Sequence, residues 1–173
     1  MKRHQVSSDG RGFTLIELLL YVSIVGTLLI AVTGFLALST EARVKNQSIS
    51  EVNQQGIAVM NMMMQAIRNS TGVTLPATGA TGSVLTVTMP TAGISPTVFD
   101  LNGSTLQIKE GTGSTIPLTN NKVQVAAFTV KNLTRTGGYA NIQISLTLAR
   151  VNTSNRNEYD FQKTFVNSAE VQW

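Results

Sequence analysis

The chain opens with an apolar run that no later part of it matches. Residues 13–38 read FTLIELLLYVSIVGTLLIAVTGFLAL, and the 21 positions of 18–38 carry no charge. At about 1.5 Å per residue, a helix over those positions spans about 31 Å, the thickness of a hydrocarbon core. The run therefore predicts a membrane-spanning helix. Beyond Ser39 the pattern turns amphipathic. Ile49, Val52, Gly56, Val59, Met60, Met63 and Ile67 recur at three- and four-residue steps, and polar side chains such as Asn46, Gln47, Glu51, Gln54, Gln55 and Asn61 fill other faces. No proline precedes Pro76, so one helix is predicted from about Thr14 to Asn69, roughly 80 Å long at the standard rise. Asn69-Ser70-Thr71-Gly72 marks its end, with Arg68 near the carboxyl-terminal dipole.

After Gly72 the period changes to two. Strands are predicted at residues 84–89 (VLTVTM), 105–109 (TLQIK), 123–131 (VQVAAFTVK), 140–148 (ANIQISLTL) and 161–166 (FQKTFV). Links rich in Gly, Thr, Ser and Pro separate them, including 77–83 and 111–115, and Gly137-Gly138 predicts a hairpin turn between two of the longest. The fold class is α+β: an antiparallel β-sheet packed against the distal half of one long amino-terminal helix, in the outline of a ladle. No solenoid-type repeat is visible. The organisation expected is a basic leader (1–12), the apolar half of the helix (13–38), its amphipathic half (39–70) and a β-rich head (71–173).

Length and charge narrow the function. At 173 residues the chain suits one domain with a core. The formal net charge is +4, and Lys2, Arg3 and Arg11 against Asp9 place +2 of it before Phe13. The remainder is too weak and scattered for a nucleic-acid footprint, which needs a basic stripe. Only 13% of residues are charged, while Thr, Ser, Asn and Gly are plentiful, as suits an exported β-rich domain. Without cysteine, a disulfide scaffold, a thiolate metal site and a thiol nucleophile are excluded. The lone histidine, His4, lies in the leader, so the commonest general base and metal ligand is missing from the rest. No catalytic residue, metal site or cofactor is expected.

The leader and the apolar run must be read together. Lys2, Arg3 and Arg11 stay cytoplasmic by the positive-inside tendency, which puts the carboxyl-terminal domain outside. The apolar run is too long for an ordinary secretory signal, and Glu17 interrupts it early. A carboxylate at the edge of a bilayer costs roughly a few kcal/mol unless it is paired or neutralised. Arg11-Gly12-Phe13-Thr14-Leu15-Ile16-Glu17-Leu18-Leu19 closely resembles the processing site of the type IV pilin and type II secretion pseudopilin superfamily. Leader charge, glycine, phenylalanine, glutamate and long apolar helix occur in that family's order.

That resemblance implies a precursor cut after Gly12 by a membrane prepilin peptidase/N-methyltransferase, which then methylates the new terminus, Phe13. Glu17 would be the carboxylate that docks the subunit into a filament. The implied partners are other pilin subunits, membrane lipid before assembly, and assembly platform and motor proteins. The implied location is the inner membrane, with the head domain extracytoplasmic, and afterwards a surface or periplasmic filament. Cleavage exposes an α-amine one helical turn from Glu17, and opposite charges in low dielectric stabilise each other within a chain or between neighbours. The chain departs from many major pilins in two respects: it has no proline near Gly34 and no cysteine-closed loop near its end.

Other features read blandly. Met60, Met62, Met63 and Met64 suit core packing between helix and sheet. Gly26 and Gly34 suit close helix packing in a membrane. Gly79-Ala80-Thr81-Gly82 and Gly111-Thr112-Gly113 are turns, with no helix opening after them to cradle phosphate. Glu158 and Asp160 with Asn155 and Asn157 lack the spacing of an EF-hand calcium loop and read as a solvated loop. Sequons occur at Asn46, Asn69, Asn102, Asn132 and Asn152, as is common in a Ser/Thr/Asn-rich chain. Three functions compete: a subunit, major or minor, of a type IV pilus-like filament; a pseudopilin of a secretion or competence system; and a membrane-anchored binding module or enzyme. The last requires a convergent polar site in the head, and the sequence offers none.

Overall fold

A computed structural model describes residues 12–135 and 137–172. The leader residues Lys2, Arg3, His4, Asp9 and Arg11 lie outside the described residues. Among the described residues one α-helix, α1 (Leu15–Arg68, 54 residues), is followed by nine strands and two short 3-10 turns. The strands are β1 (Gly72–Leu75), β2 (Thr81–Gly82), β3 (Leu85–Thr88), β4 (Thr97–Asn102), β5 (Thr105–Glu110), β6 (Ile116–Pro117), β7 (Val123–Asn132), β8 (Asn141–Arg150) and β9 (Gln162–Glu170). The chain divides into two compact units, the first running to Glu41 and the second Ala42–Trp173.

In the second unit, residues 42–68 of α1 share one hydrophobic core with two antiparallel sheets. The α+β class matches the reading of the sequence, but the strands form two sheets where one was expected. Their orders are β1-β3-β4-β5-β6 and β2-β7-β8-β9. Helix positions Val52, Val59, Met60, Met63, Met64 and Ile67 are buried against Leu85, Val87, Phe99 and Leu106 of one sheet and Val130, Ile142, Ile144, Leu146 and Leu148 of the other. Met60, Met63 and Met64 are thus core residues, while Met62 is exposed. Ser48 was not expected inside, yet it is buried, and its hydroxyl donates to the Val44 carbonyl at 3.0 Å. With its one donor spent on its own helix, it packs like a small apolar residue. Ile49, beside it, is only half-buried.

The helix ends one residue before the expected Asn69, by a different device. Ser70 is fully buried and its hydroxyl donates to the Ile67 carbonyl at 2.7 Å, satisfying an orphan acceptor of the last turn. Gly72 provides no cap and instead opens β1, paired with Thr88. The β4–β5 hairpin was also unforeseen. Asn102 pairs Thr105 across a two-residue turn, and Gly103 at its first position has φ +62°, open to glycine at no steric cost. Gly137 and Gly138 do turn the chain between β7 and β8, where the Gly138 amide donates to the Arg135 carbonyl at 2.9 Å. The connection there, residues 133–140, is longer than a tight hairpin.

Strand β9 closes one edge of its sheet. Its inward ring, Phe165, lies over the helix at Gly56, where an added Cβ would overlap the ring carbons. The Lys163 ammonium lies 5.2 Å from that ring's centroid and donates to Asn53 Oδ1 at 2.8 Å. A second polar tie joins Asn120 Nδ2 to Glu51 Oε1 at 2.6 Å. Among the sequons, Asn132 is buried, with its amide donating to the Pro76 carbonyl at 2.8 Å and its oxygen accepting from the Thr134 amide at 3.1 Å. A side chain so committed is closed to glycosylation in the folded chain.

Candidate functional site

The site predicted at the amino terminus lies at the start of α1. Gly12, Phe13 and Thr14 precede the helix in non-helical backbone, and all three are exposed. The Thr14 carbonyl accepts the amides of Glu17 at 3.1 Å and Leu18 at 3.2 Å, so Thr14 stands at the N-cap and Glu17 in the first turn. A carboxylate there complements the positive end of the helix dipole. Thr14 and Glu17 also have the spacing of a capping box, a signal the sequence reading missed. The box is not closed. Among the described residues, neither the Thr14 hydroxyl nor the Glu17 carboxylate has a hydrogen-bond or ion-pair partner. Phe13 lies outside the helix, and its ring packs at a tilt on Tyr21, with centroids 5.9 Å apart.

Among its described residues, the first unit carries no core. Every residue from 12 to 38 is exposed except half-buried Gly26, and Phe13, Leu15, Ile16, Ile30 and Phe35 are each at least 69% exposed. Such a surface far exceeds the few hundred Å² of contiguous apolar area that monomeric soluble proteins show. Its most apolar 18-residue window has a mean hydropathy of 2.4, so the helix is long and apolar enough to cross a membrane. Four hydroxyls along the helix are satisfied by its own backbone. Ser23 donates to Leu19 O at 2.8 Å, Thr27 to Ser23 O at 2.8 Å, Thr33 to Leu29 O at 2.9 Å and Thr40 to Leu36 O at 2.8 Å. Backbone bonding of this kind is what lets hydroxyls sit in lipid. The helix continues through Gly26 and Gly34, and a Cβ added at either would meet no side chain or neighbouring segment within 4 Å. Glu17 is the one ionisable carboxylate in this apolar surface.

The family described as the prokaryotic N-terminal methylation motif matches residues 8–33. The chain carries a type IV pilin-like prepilin motif. That motif fits an inner-membrane-anchored chain with an extracytoplasmic domain, and points to a structural subunit rather than an enzyme. It also implies processing by a prepilin peptidase and assembly with other pilin subunits. No curated protein and no solved structure matches the chain.

In the head, the loop with Glu158 and Asp160 gathers no metal-binding group. Among the described residues there is no cluster of three or more His, Cys, Asp or Glu side chains that could hold an ion. Glu158 is held instead by an ion pair with Arg156, and its side chain is only 11% exposed.

Proposed function

We propose that this chain is a prepilin whose leader, residues 1–12, is cut off between Gly12 and Phe13, and that the mature chain is a structural subunit of a type IV pilus-like filament. Phe13 becomes the N-methylated terminus. The apolar half of the helix, 13–38, holds the subunit in the membrane and then packs among its neighbours, while 71–173 forms the head outside. Glu17 accepts the α-amine of an adjacent subunit.

One observation carries this reading: an apolar helical surface with no internal partner bears, in its first turn, a single carboxylate that also has none among the described residues. Lipid covers the apolar surface but cannot neutralise the carboxylate, and a neighbour's terminal amine does. Gly12 matters because a peptidase must reach its carbonyl closely, and the exposed, non-helical backbone at 12–14 suits that approach.

Cleavage is tested directly. Gly12→Val places a branched side chain at the cut, and the chain should then accumulate at full length in membranes of cells carrying a prepilin peptidase, while the parent chain is shortened by its leader. Intact mass measurement separates the two products, and normal shortening of Gly12→Val would refute the assigned junction.

A further inference from the structure

The loop between β8 and β9 encloses a pocket of about 380 Å³, a volume ordinary for small-molecule sites. Its chemistry is unusual for such sites, because the walls are mainly polar. Gln124, Asn155, Asn157 and Gln162 bring primary amides to it, Arg150 a guanidinium and Asp160 a carboxylate, with Phe161 as an apolar wall.

The frame of this pocket is fixed by bonds that leave those groups free. Asn152 donates to the Arg156 carbonyl at 3.0 Å and accepts from the Arg156 amide at 3.2 Å, closing the loop on itself. Backbone bonds from Arg150 N to Phe161 O and from Val151 N to Lys122 O, each 2.9 Å, tie the loop to the sheet. Arg150 is oriented by the Tyr159 ring, 5.9 Å from its guanidinium carbon.

We propose that this pocket binds a neutral, hydroxyl-rich ligand of the saccharide class. A primary amide offers two donors and an acceptor side by side, as vicinal hydroxyls do, so several amides around one volume match a sugar ring better than a charged or apolar molecule. Phe161 supplies an apolar surface for the C–H face. A hard cation is disfavoured, since it needs six or more oxygens including several carboxylates, whereas Glu158 is committed to Arg156 and Arg150 lines the same wall as Asp160. An anion is disfavoured by Asp160.

The test uses the full chain, solubilised in a detergent without a sugar headgroup, on an array of immobilised neutral, sialylated and sulfated oligosaccharides. Retention on at least one neutral sugar is expected. Asn157→Ala with Gln162→Ala should weaken that binding by about tenfold, as loss of two hydrogen bonds implies, and Gln143→Ala, elsewhere on the sheet, should not. Both pocket side chains are exposed, so an unchanged melting midpoint is expected to accompany the loss. Failure to retain any neutral sugar overturns the proposal. So does binding that survives the double substitution, preference for the charged sugars, or calcium binding that depends on Asp160.

Discussion

Glu17→Ala is expected to leave the chain in the membrane at its normal level and to remove it from filaments. The Glu17 side chain is exposed and has no hydrogen-bond or ion-pair partner among the described residues, so the stability of the head should not change. What is lost is the partner of a terminal amine in a low-dielectric layer. Two unit charges at about 4 Å attract by about 4 kcal/mol at an effective dielectric of 20, which is about a thousandfold in the equilibrium for adding a subunit. Glu17→Gln, which keeps the shape and removes the charge, should fail nearly as badly. Glu17→Asp keeps the charge on a shorter stem and should retain partial assembly. The ratio of sheared filament to membrane-bound chain reads all three. Equal ratios for the parent and Glu17→Ala would dispose of the pairing.

The second large effect lies in the head. Gly56 is buried where Phe165 of β9 crosses the helix, and any side chain there meets the ring. Overpacking a tight contact costs up to about 3 kcal/mol, while exchanging glycine for leucine in a helix returns about 1 kcal/mol. Gly56→Leu should therefore lower stability by about 2 kcal/mol, or roughly 5 °C in the melting midpoint. The cause is specific, so it can be relieved. Combining Gly56→Leu with Phe165→Ala exchanges ring volume for leucine volume, and the pair should be more stable than the sum of the single losses predicts. Strict additivity would show that the two residues do not compete for the same space.

Much of this architecture is written in local patterns. The helix was legible to within a residue at each end because its apolar run and the following three-four periodicity persist without a proline. The five strands that alternate strongly were found, including the long β7 and β8. The others were hidden for identifiable reasons. In β4 the inward positions are Thr97 and Phe99, and Thr97 is buried because its hydroxyl donates to the Ile94 carbonyl at 2.7 Å. A polar residue satisfied in this way breaks the apolar alternation without breaking the strand. Strands β2 and β6 have two residues each, too few for any period. The end of β9 was missed because an edge strand shows solvent-facing Asn167, Ser168 and Glu170, which look like a tail. The split into two sheets depends on pairing over long sequence distances, which no local pattern specifies.

The proposed amino-terminal site was read on a different basis. Phe13 and Glu17 lie in a surface with no tertiary contacts, so sequence order alone defines them. What the sequence reading missed was Thr14, whose carbonyl starts the helix and whose position explains why Phe13 stays outside it. The amine created by cleavage would therefore emerge from non-helical backbone rather than from a helical turn above Glu17. That placement loosens the tie to its own carboxylate and favours a neighbour's.

As a filament subunit, the mature chain would have Phe13 as its first residue. Mass spectrometry of filaments sheared from cells that express the chain tests it most directly. An amino-terminal peptide beginning with N-methyl-Phe13 is expected. Finding only uncleaved chain beginning at Met1 and retained in the membrane would contradict it.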